Sequence, residues 1–294
     1  MRVTEKILAQ QAISELQSNA EQIAKLQQNL ATGKKINQPS DDPVGTSQLL
    51  GFDVVQNKID QYNRNLDSLD GSLKLTNTTL DAALQVLSTV KQVAMNQSTG
   101  SMTPEQIATA SSQIQAGFDQ LLQIANSTDN GQYLFSGFLT NVPAYDNSGA
   151  YQGDGGVNSV EAGVGVTIAR NLPGQDVFGS ASTGVDIFGL LNTLKTAIAN
   201  NDQPTIQASL ATLDQASNQV AQAQAELGVR EQTLQTQQDR LKNLSSSVDQ
   251  LRSKIEHADP AEIITKFQYQ LTALQATQEA TAKLLQTSLM DYLK

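Results

Sequence analysis

The feature that most constrains this chain is a heptad seam running from about Val44 to about Gln97. Phe52, Ile59, Leu66, Leu73, Leu80 and Leu87 recur every seven residues, and Val55, Tyr62, Leu69, Thr76, Ala83 and Val90 each follow by three. A 3.5-residue apolar period held this long predicts one α-helix of roughly 80 Å, at 1.5 Å per residue, supercoiling left-handedly against a partner. Few compact enzymes need such a rod. The question the sequence must answer is what packs against it.

A second seam supplies the answer. Ile206, Leu213, Val220, Leu227, Leu234, Leu241, Val248 and Ile255 are also spaced seven apart. Their companion row is weaker, with Ala216, Ala223, Arg230 and Gln237 preceding Leu244 and Leu251. A row that is small or polar in its middle does not suit a self-sufficient coiled coil of two identical chains. It suits a bundle whose other faces come from elsewhere in the same chain.

Each rod is preceded or followed by a shorter helix across a proline break. Residues 5–32 carry Leu16, Ile23 and Leu30 at heptad spacing, and Gly33 fits the position after a helix C-terminus. Asn37 to Pro43 then reads as an extended connection, because residues before proline are pushed out of the helical region. Asp42 is placed to cap the first rod, with Pro43 at its first position. At the other end His257-Ala258-Asp259-Pro260 breaks the second rod, and Asp259 caps a last helix with Ile264, Phe267, Leu271, Leu274 and Leu285 on one seam.

Between the rods, Thr103, Pro104 and Gln106 form a capping-box signature for another helix, which Asp129-Asn130-Gly131 is predicted to end. From Gly131 to Gly189 the heptads vanish. Most of the 19 Gly and over half of the aromatic residues lie there, and Val164, Val166 and Ile168 alternate before a turn at Pro173-Gly174. Helical periodicity returns near Asp186. The expected fold is mainly α with a small β-rich insertion, an antiparallel long-helix bundle or coiled-coil rod built from both chain ends. The expected domains are a terminal helix and loop over 1–43, a helical rod over 44–131 and 186–257, a β-rich outer domain over 132–185, and a C-terminal helix over 258–294. With a compact excursion in the middle, the rods must run antiparallel and the terminal helices emerge side by side.

Composition narrows the function. Aromatics are 4%, Trp is absent, and the formal net charge is -10 with a pI near 4.6. That balance argues against binding nucleic acid or an anionic membrane. No apolar run is long enough for a transmembrane anchor, and the polar residues after Met1 do not resemble a cleaved secretory signal. Zero Cys removes disulfides, thiolate catalysis and cysteine metal sites.

Enzyme readings fare badly. His257 is the only imidazole, so any His-metal cluster or Ser-His-Asp triad would rest on it alone, and it reads better as a residue near the end of the second rod. No nucleophile elbow and no Walker phosphate loop is present. Asp41 and Asp42 could pair for acid/base work, but flanking prolines favour capping and turn formation. Asp146, Asn147 and Asp154 faintly suggest a Ca²⁺ loop without EF-hand spacing. No catalytic, metal or cofactor site is expected.

The terminal seams are more informative. A lone amphipathic helix of such length cannot offset an ordering cost of about 1.5 kcal/mol per residue without a partner surface. The termini are therefore expected to order on assembly, with Leu16, Ile23, Leu30, Ile264, Phe267, Leu271, Leu274 and Leu285 as the rows to be buried. The competing reading is an ordinary hairpin of the two helices within one chain.

Ala31-Thr32-Gly33-Lys34-Lys35-Ile36-Asn37-Gln38-Pro39-Ser40-Asp41-Asp42-Pro43 closely resembles the N-terminal motif of the flagellin superfamily. Gly33, Asn37, Pro39, Asp41, Asp42 and Pro43 are the motif-loop residues so matched. Asn130 to Phe138 looks like the segment leading into an outer domain of that family, and Ala273 to Lys294 is similar to its C-terminus. The Pro-Ser-Asp-Asp-Pro form of the motif favours the member that joins hook to filament over a short flagellin that forms the filament itself. The resemblance implies a flagellin-like fold and an extracellular, non-enzymatic protein of the bacterial flagellum. It implies export by the flagellar type III route and polymerisation of the terminal helices into a ring-like homo-oligomer. Its implied partners are a second hook-associated protein on the hook side, flagellin on the filament side, and a cytoplasmic export chaperone on the C-terminal helix. A reading from another class is a cytosolic coiled-coil adaptor.

Overall fold

A computed structural model describes residues 2–98, 103–180 and 184–292, with side chains described at 7 and from 10 to 283 within these ranges. The sequence Thr99-Gly100-Ser101, which reads as a loop after the first rod, lies outside the described residues. Among those described, the helices are α1 (Arg2–Thr32), α2 (Pro43–Gln97), α3 (Pro104–Ala125), α4 (Gly174–Val177), α5 (Ile187–Ala199), α6 (Gln203–Glu256) and α7 (Pro260–Tyr292). Four short strands, β1 (Thr128–Asp129), β2 (Gln132–Tyr133), β3 (Ser159–Gly163) and β4 (Val166–Ala169), form two separate antiparallel hairpins. The architecture is mainly helical with a small β insertion. The chain divides into two compact units, one of residues 59–242 and one of residues 1–58 with 243–294. No helix of the described residues is long and apolar enough to cross a membrane.

In the unit of residues 59–242, the two rods run antiparallel. The Gln203 amide donates to the Gln97 carbonyl at 3.0 Å, Lys91 pairs with Asp214, and Gln224 donates to Asp81 at 2.6 Å. As one sequence number falls the other rises. The seam residues Leu66, Leu73, Leu80 and Leu87 are fully buried, as are Ile206, Leu213, Val220 and Leu227. Each such burial contributes roughly 1.5–3 kcal/mol of transfer free energy.

Helices α3 and α5 complete this core. A Cβ at Gly117 would lie 2.7 Å from a Val90 methyl, so the glycine lets α3 approach α2 at backbone distance. Phe118 meets Phe188 edge to face at 5.4 Å between ring centres, and Lys195 donates to Gln115 at 2.8 Å. The helix starts follow local chemistry. Thr103 and Gln106 form a reciprocal capping box, and Asp186 accepts from the Gly189 amide at 2.9 Å.

Three local expectations of the insertion are corrected. Helix α3 ends at Ala125 rather than at Asp129-Asn130-Gly131, because Asn130 (φ 49°) and Gly131 (φ 79°) both take left-handed backbone and make the tight turn of the β1–β2 hairpin. Val164 does not belong to a strand; it caps the β3–β4 turn at 83% exposure. Pro173-Gly174 opens α4 instead of a turn, with Pro173 supplying the extended residue before the helix.

Most of the insertion is irregular chain held by side chains. Phe135, Tyr145, Tyr151, Phe178 and Phe188 form one aromatic cluster with ring centres 4.7–6.3 Å apart. Burial raises the pKa of the Tyr145 phenol, whose hydroxyl sits 2.8 Å from the carbonyls of Gly174 and Gly179, and pushes Tyr151 up to about 12. The weak middle of the second seam proves to be the insertion's anchor. Arg230 donates to the carbonyls of Asn171 at 2.8 Å and Ala169 at 3.3 Å, while Ala216 and Ala223 are buried. From α2, Ser72 donates to Asp129 at 2.6 Å, and Arg170 reaches both.

Candidate assembly site at the chain ends

The other unit contains both chain ends and both proline breaks. Helix α1 stops where the chain must turn left-handed. Gly33 has φ 69°, and its amide returns to the Asn29 carbonyl at 2.8 Å. An L-residue there pays the Cβ–carbonyl crowding that glycine avoids. Lys34 then forms an antiparallel bridge with His257, in which the Lys35 amide donates to the Glu256 carbonyl at 2.8 Å and the Ala258 amide to the Gly33 carbonyl at 3.1 Å. The two breaks are thus clasped to each other by backbone.

The motif loop is knit by two aspartates with separate tasks. Asp41 accepts the Asn37 and Gln38 amides at 3.0 and 3.1 Å and pairs with Lys25 of α1 at 2.9 Å. The hydrogen bond from Lys25, with the two amides, holds the Asp41 carboxyl below the usual carboxylate range. Asp42 caps α2, accepting from the Val44 and Gly45 amides at 3.1 and 2.9 Å. Asn37 donates to Asn29 at 2.7 Å and to the Lys34 carbonyl at 3.1 Å. A Cβ at Gly45 would lie 2.6 Å from the Ile36 terminal methyl, so this glycine admits the buried Ile36 against the start of α2. Gly33, Asn37, Asp41 and Asp42 therefore share one loop, with Pro39 and Pro43 exposed on it.

Charge closes the clasp. Lys34 pairs with Glu256, Arg252 lies 2.9 Å from the same carboxylate, and Arg252 also reaches Asp53 on α2 at 2.7 Å. The Lys34 hydrogen bond, ahead of that from Arg252, lowers the Glu256 pKa against the opposing effect of burial. Sequence reasoning missed Arg252, Glu256, Asp53 and Lys25. The signal available was the i, i+4 spacing of Arg252 and Glu256 beside the break. His257, expected near the end of the second rod, lies just past α6, with its amide on the Ser253 carbonyl at 2.9 Å. Asp259 accepts from the Ala261 amide at 2.8 Å.

Helices α1 and α7 lie against each other. Asn19 accepts from Gln270 at 2.8 Å and contacts Thr277 at 3.4 Å. Ile23 and Ile263 are buried along this contact, while Leu16, Phe267 and Leu274 are half-buried. Leu30, Ile264 and Leu271 remain 42%, 43% and 37% exposed. The rows named from sequence are thus split between an inner face and an outer one, because two paired helices can cover only one narrow stripe of each other. The side chain of Leu285 lies outside the described residues. A groove of about 490 Å³ lined by Gln22, Leu26, Thr265, Tyr269 and Gln270 runs between them. The rods contribute further exposed apolar residues to this unit, among them Leu50 and Val54 of α2 and Leu244 and Leu251 of α6.

Comparison with known proteins places this architecture. The bacterial flagellin N-terminal helical region matches residues 3–140, and the bacterial flagellin C-terminal helical region matches residues 210–293. Flagellar hook-associated protein 3 of Escherichia coli is 25% identical over 100% of both chains, and the flagellin of Listeria monocytogenes is 23% identical over 89% of this chain and 88% of its own. A solved structure from Vibrio parahaemolyticus, assigned to the flagellar hook-associated proteins, is 24% identical, covers 74% of this chain and all of its own, and superposes with a TM-score of 0.70. With both helical regions matched and the fold shared, the chain belongs to the bacterial flagellin family.

Proposed function

We propose that this protein is a structural subunit of the bacterial flagellum that forms the junction between hook and filament. The observation that carries the reading is the exposed apolar row, Leu30, Ile264 and Leu271, on a helix pair made from both chain ends. Large apolar side chains left in water on a paired helix face mark a surface awaiting protein neighbours. Within residues 59–242 the heptad-seam residues Leu66, Leu73, Leu80, Leu87, Ile206, Leu213, Val220 and Leu227 are by contrast fully buried. The likeness to hook-associated protein 3 along the full chain supports the junction role.

On this reading the subunit acts by packing rather than by catalysis. Copies of the chain form a ring through α1 and α7, with a second hook-associated protein on the hook side and flagellin on the filament side. The protein is exported to the extracellular flagellum without a cleaved signal, a cytoplasmic chaperone covering the C-terminal helix beforehand. Residues 1–43 and 258–294 are the polymerisation segments, 44–131 with 186–257 the rod, and 132–185 the outer domain.

Deletion of the gene tests this. Hooks that persist without filaments, with flagellin accumulating in the medium, support the junction role. Filaments still growing on intact hooks would remove it. The second reading, a short flagellin, draws on the match to the Listeria flagellin. It predicts bare hooks with no other filament protein in the medium.

A further inference from the structure

Nearer Gln97 the paired rods are covered by α3, which sets Gly117 against Val90 and Val86 of α2 and ends at Ala125. Just past that end Asp129 meets Ser72 of α2 at 2.6 Å, so α3 runs antiparallel to α2 and stops short of residues 59–71. Leu66 and Leu69 are nevertheless 0% exposed, and Ile59 2%. Two helices cover only a narrow stripe of each other, so a third element must lie over this stretch. The β3–β4 hairpin is placed to be that element. The Asn65 amide of α2 donates to the Glu161 carbonyl of β3 at 2.9 Å, and the Arg230 guanidinium of α6 to the Ala169 carbonyl of β4 at 3.3 Å. Each edge of the hairpin is thus bonded to a different rod. Its inner residues Ala162 and Ile168 are buried, while Ser159, Glu161 and Thr167 face water. The hairpin ends beside Tyr62 and Gln237. Further along both helices the same companion rows open to water, with Val55, Leu244 and Leu251 at 37%, 45% and 47% exposure.

We propose that the β3–β4 hairpin is the third member of the rod over residues 59–72 and 230–242, holding there the place that α3 holds nearer Gln97. The insertion then braces the rod in addition to any outward role. The companion row of α6 is small or polar at Ala223, Arg230 and Gln237, and cannot by itself cover Leu66 and Leu69; the hairpin supplies the apolar face that this row lacks. Without the hairpin, Leu66 and Leu69 meet water on one side, and the amides of this stretch lose protection in both rods. The stretch under α3 keeps its cover and its protection. This role belongs to the chain itself and does not depend on what the chain assembles into.

Hydrogen exchange of the full-length protein, read by peptide mass spectrometry, tests the brace with a hairpin deletion. The Arg170 amide donates to the Asn158 carbonyl at 2.7 Å, so a short Gly-Ser link can replace residues 159–169 and leave Arg170 and Asn171 in place. Ile168→Ala is the milder variant, trimming the buried face of the hairpin without altering either rod. Val164→Thr, at the 83% exposed tip, is the control. The expected result is exchange faster by on the order of tenfold in the deletion, and by a smaller factor in Ile168→Ala, across both 59–72 and 230–242. Residues 83–97 and 206–220 should stay unchanged. Protection of 59–72 and 230–242 equal to the parent's in the deletion overturns the brace, as does a rise confined to one rod or the same rise in Val164→Thr. Where the deletion raises exchange everywhere, Ile168→Ala decides: a rise confined to 59–72 and 230–242 supports the brace, and an even rise along the rods, or none, overturns it.

Discussion

The Lys35 amide donates to the Glu256 carbonyl at 2.8 Å, so the break after the first helix and the break before the last are one structural element. Residues from opposite ends of the sequence meet there in a single antiparallel bridge. The terminal helices consequently leave from a common point, the arrangement that the proposed assembly surface requires.

The left-handed turn at Gly33 gives a direct prediction. Gly33→Ala should lower stability by about 1 kcal/mol, because φ 69° crowds a Cβ against the following carbonyl. Gly33→Asn should cost less, since asparagine tolerates that region. Chemical denaturation followed by helical signal checks both, and an alanine variant as stable as the parent would contradict the turn.

Buried and exposed seam residues should separate cleanly. Leu80→Ala, at a fully buried position, should cost about 2–5 kcal/mol through lost transfer energy and a residual cavity. Leu271→Ala, at 37% exposure, should change the isolated protein by under about 1 kcal/mol. Equal losses in a denaturation series would mean that the outer row is already covered within the chain.

Arg230 should behave as the anchor of the insertion. Arg230→Lys substitutes a single ammonium for the planar fork that reaches the Ala169 and Asn171 carbonyls. Limited proteolysis should then cut within residues 150–171 several-fold faster, while the helical circular dichroism stays unchanged. Unaltered cleavage would assign that role to Arg170 and the aromatic cluster instead.

Asp41 predicts acid sensitivity of the motif loop. Its folded-state pKa is lowered, first by the Lys25 hydrogen bond and then by the Asn37 and Gln38 amides, so its stabilisation is present above the ordinary aspartate value and lost as pH falls through the depressed one. Glu256 is shifted in the same direction by Lys34 and adds to the loss in the same acid range. The Asn37 and Gln38 amide resonances should hold steady from pH 7 to about pH 5 and move only below about pH 4. Asp41→Asn should abolish the movement. A midpoint above the usual carboxylate range would contradict the geometry.

How much could be read from the sequence depended on the range of the interaction. The seams from Leu66 to Leu87 and from Ile206 to Leu241 were legible because burial imposes a period, and their antiparallel pairing followed from the excursion between them. Capping at Thr103 and Asp42 was legible because it is settled within three residues. Asn130-Gly131 was misread because the same dipeptide ends helices and closes hairpins, and the tertiary hold of Asn126 on Tyr145, at 2.8 and 2.9 Å, decides between them. Arg230 looked like a flaw in a heptad row, since no local pattern says that carbonyls of a distant loop lie opposite. Glu256 had a local signal in Arg252 one turn before it, but that spacing does not show its second contact. Its partner Lys34 is remote in sequence, and nothing nearby marks the pairing.

The most direct test of the outer row of the terminal helix pair as an assembly surface is complementation of a deletion strain with Leu30→Asn, Ile264→Asn and Leu271→Asn combined. Exported protein and filament number per cell would be counted alongside helical content of the purified chain. The variant is expected to be exported and as helical as the parent, yet to leave hooks bare. Filaments restored to parental numbers by that variant would contradict it.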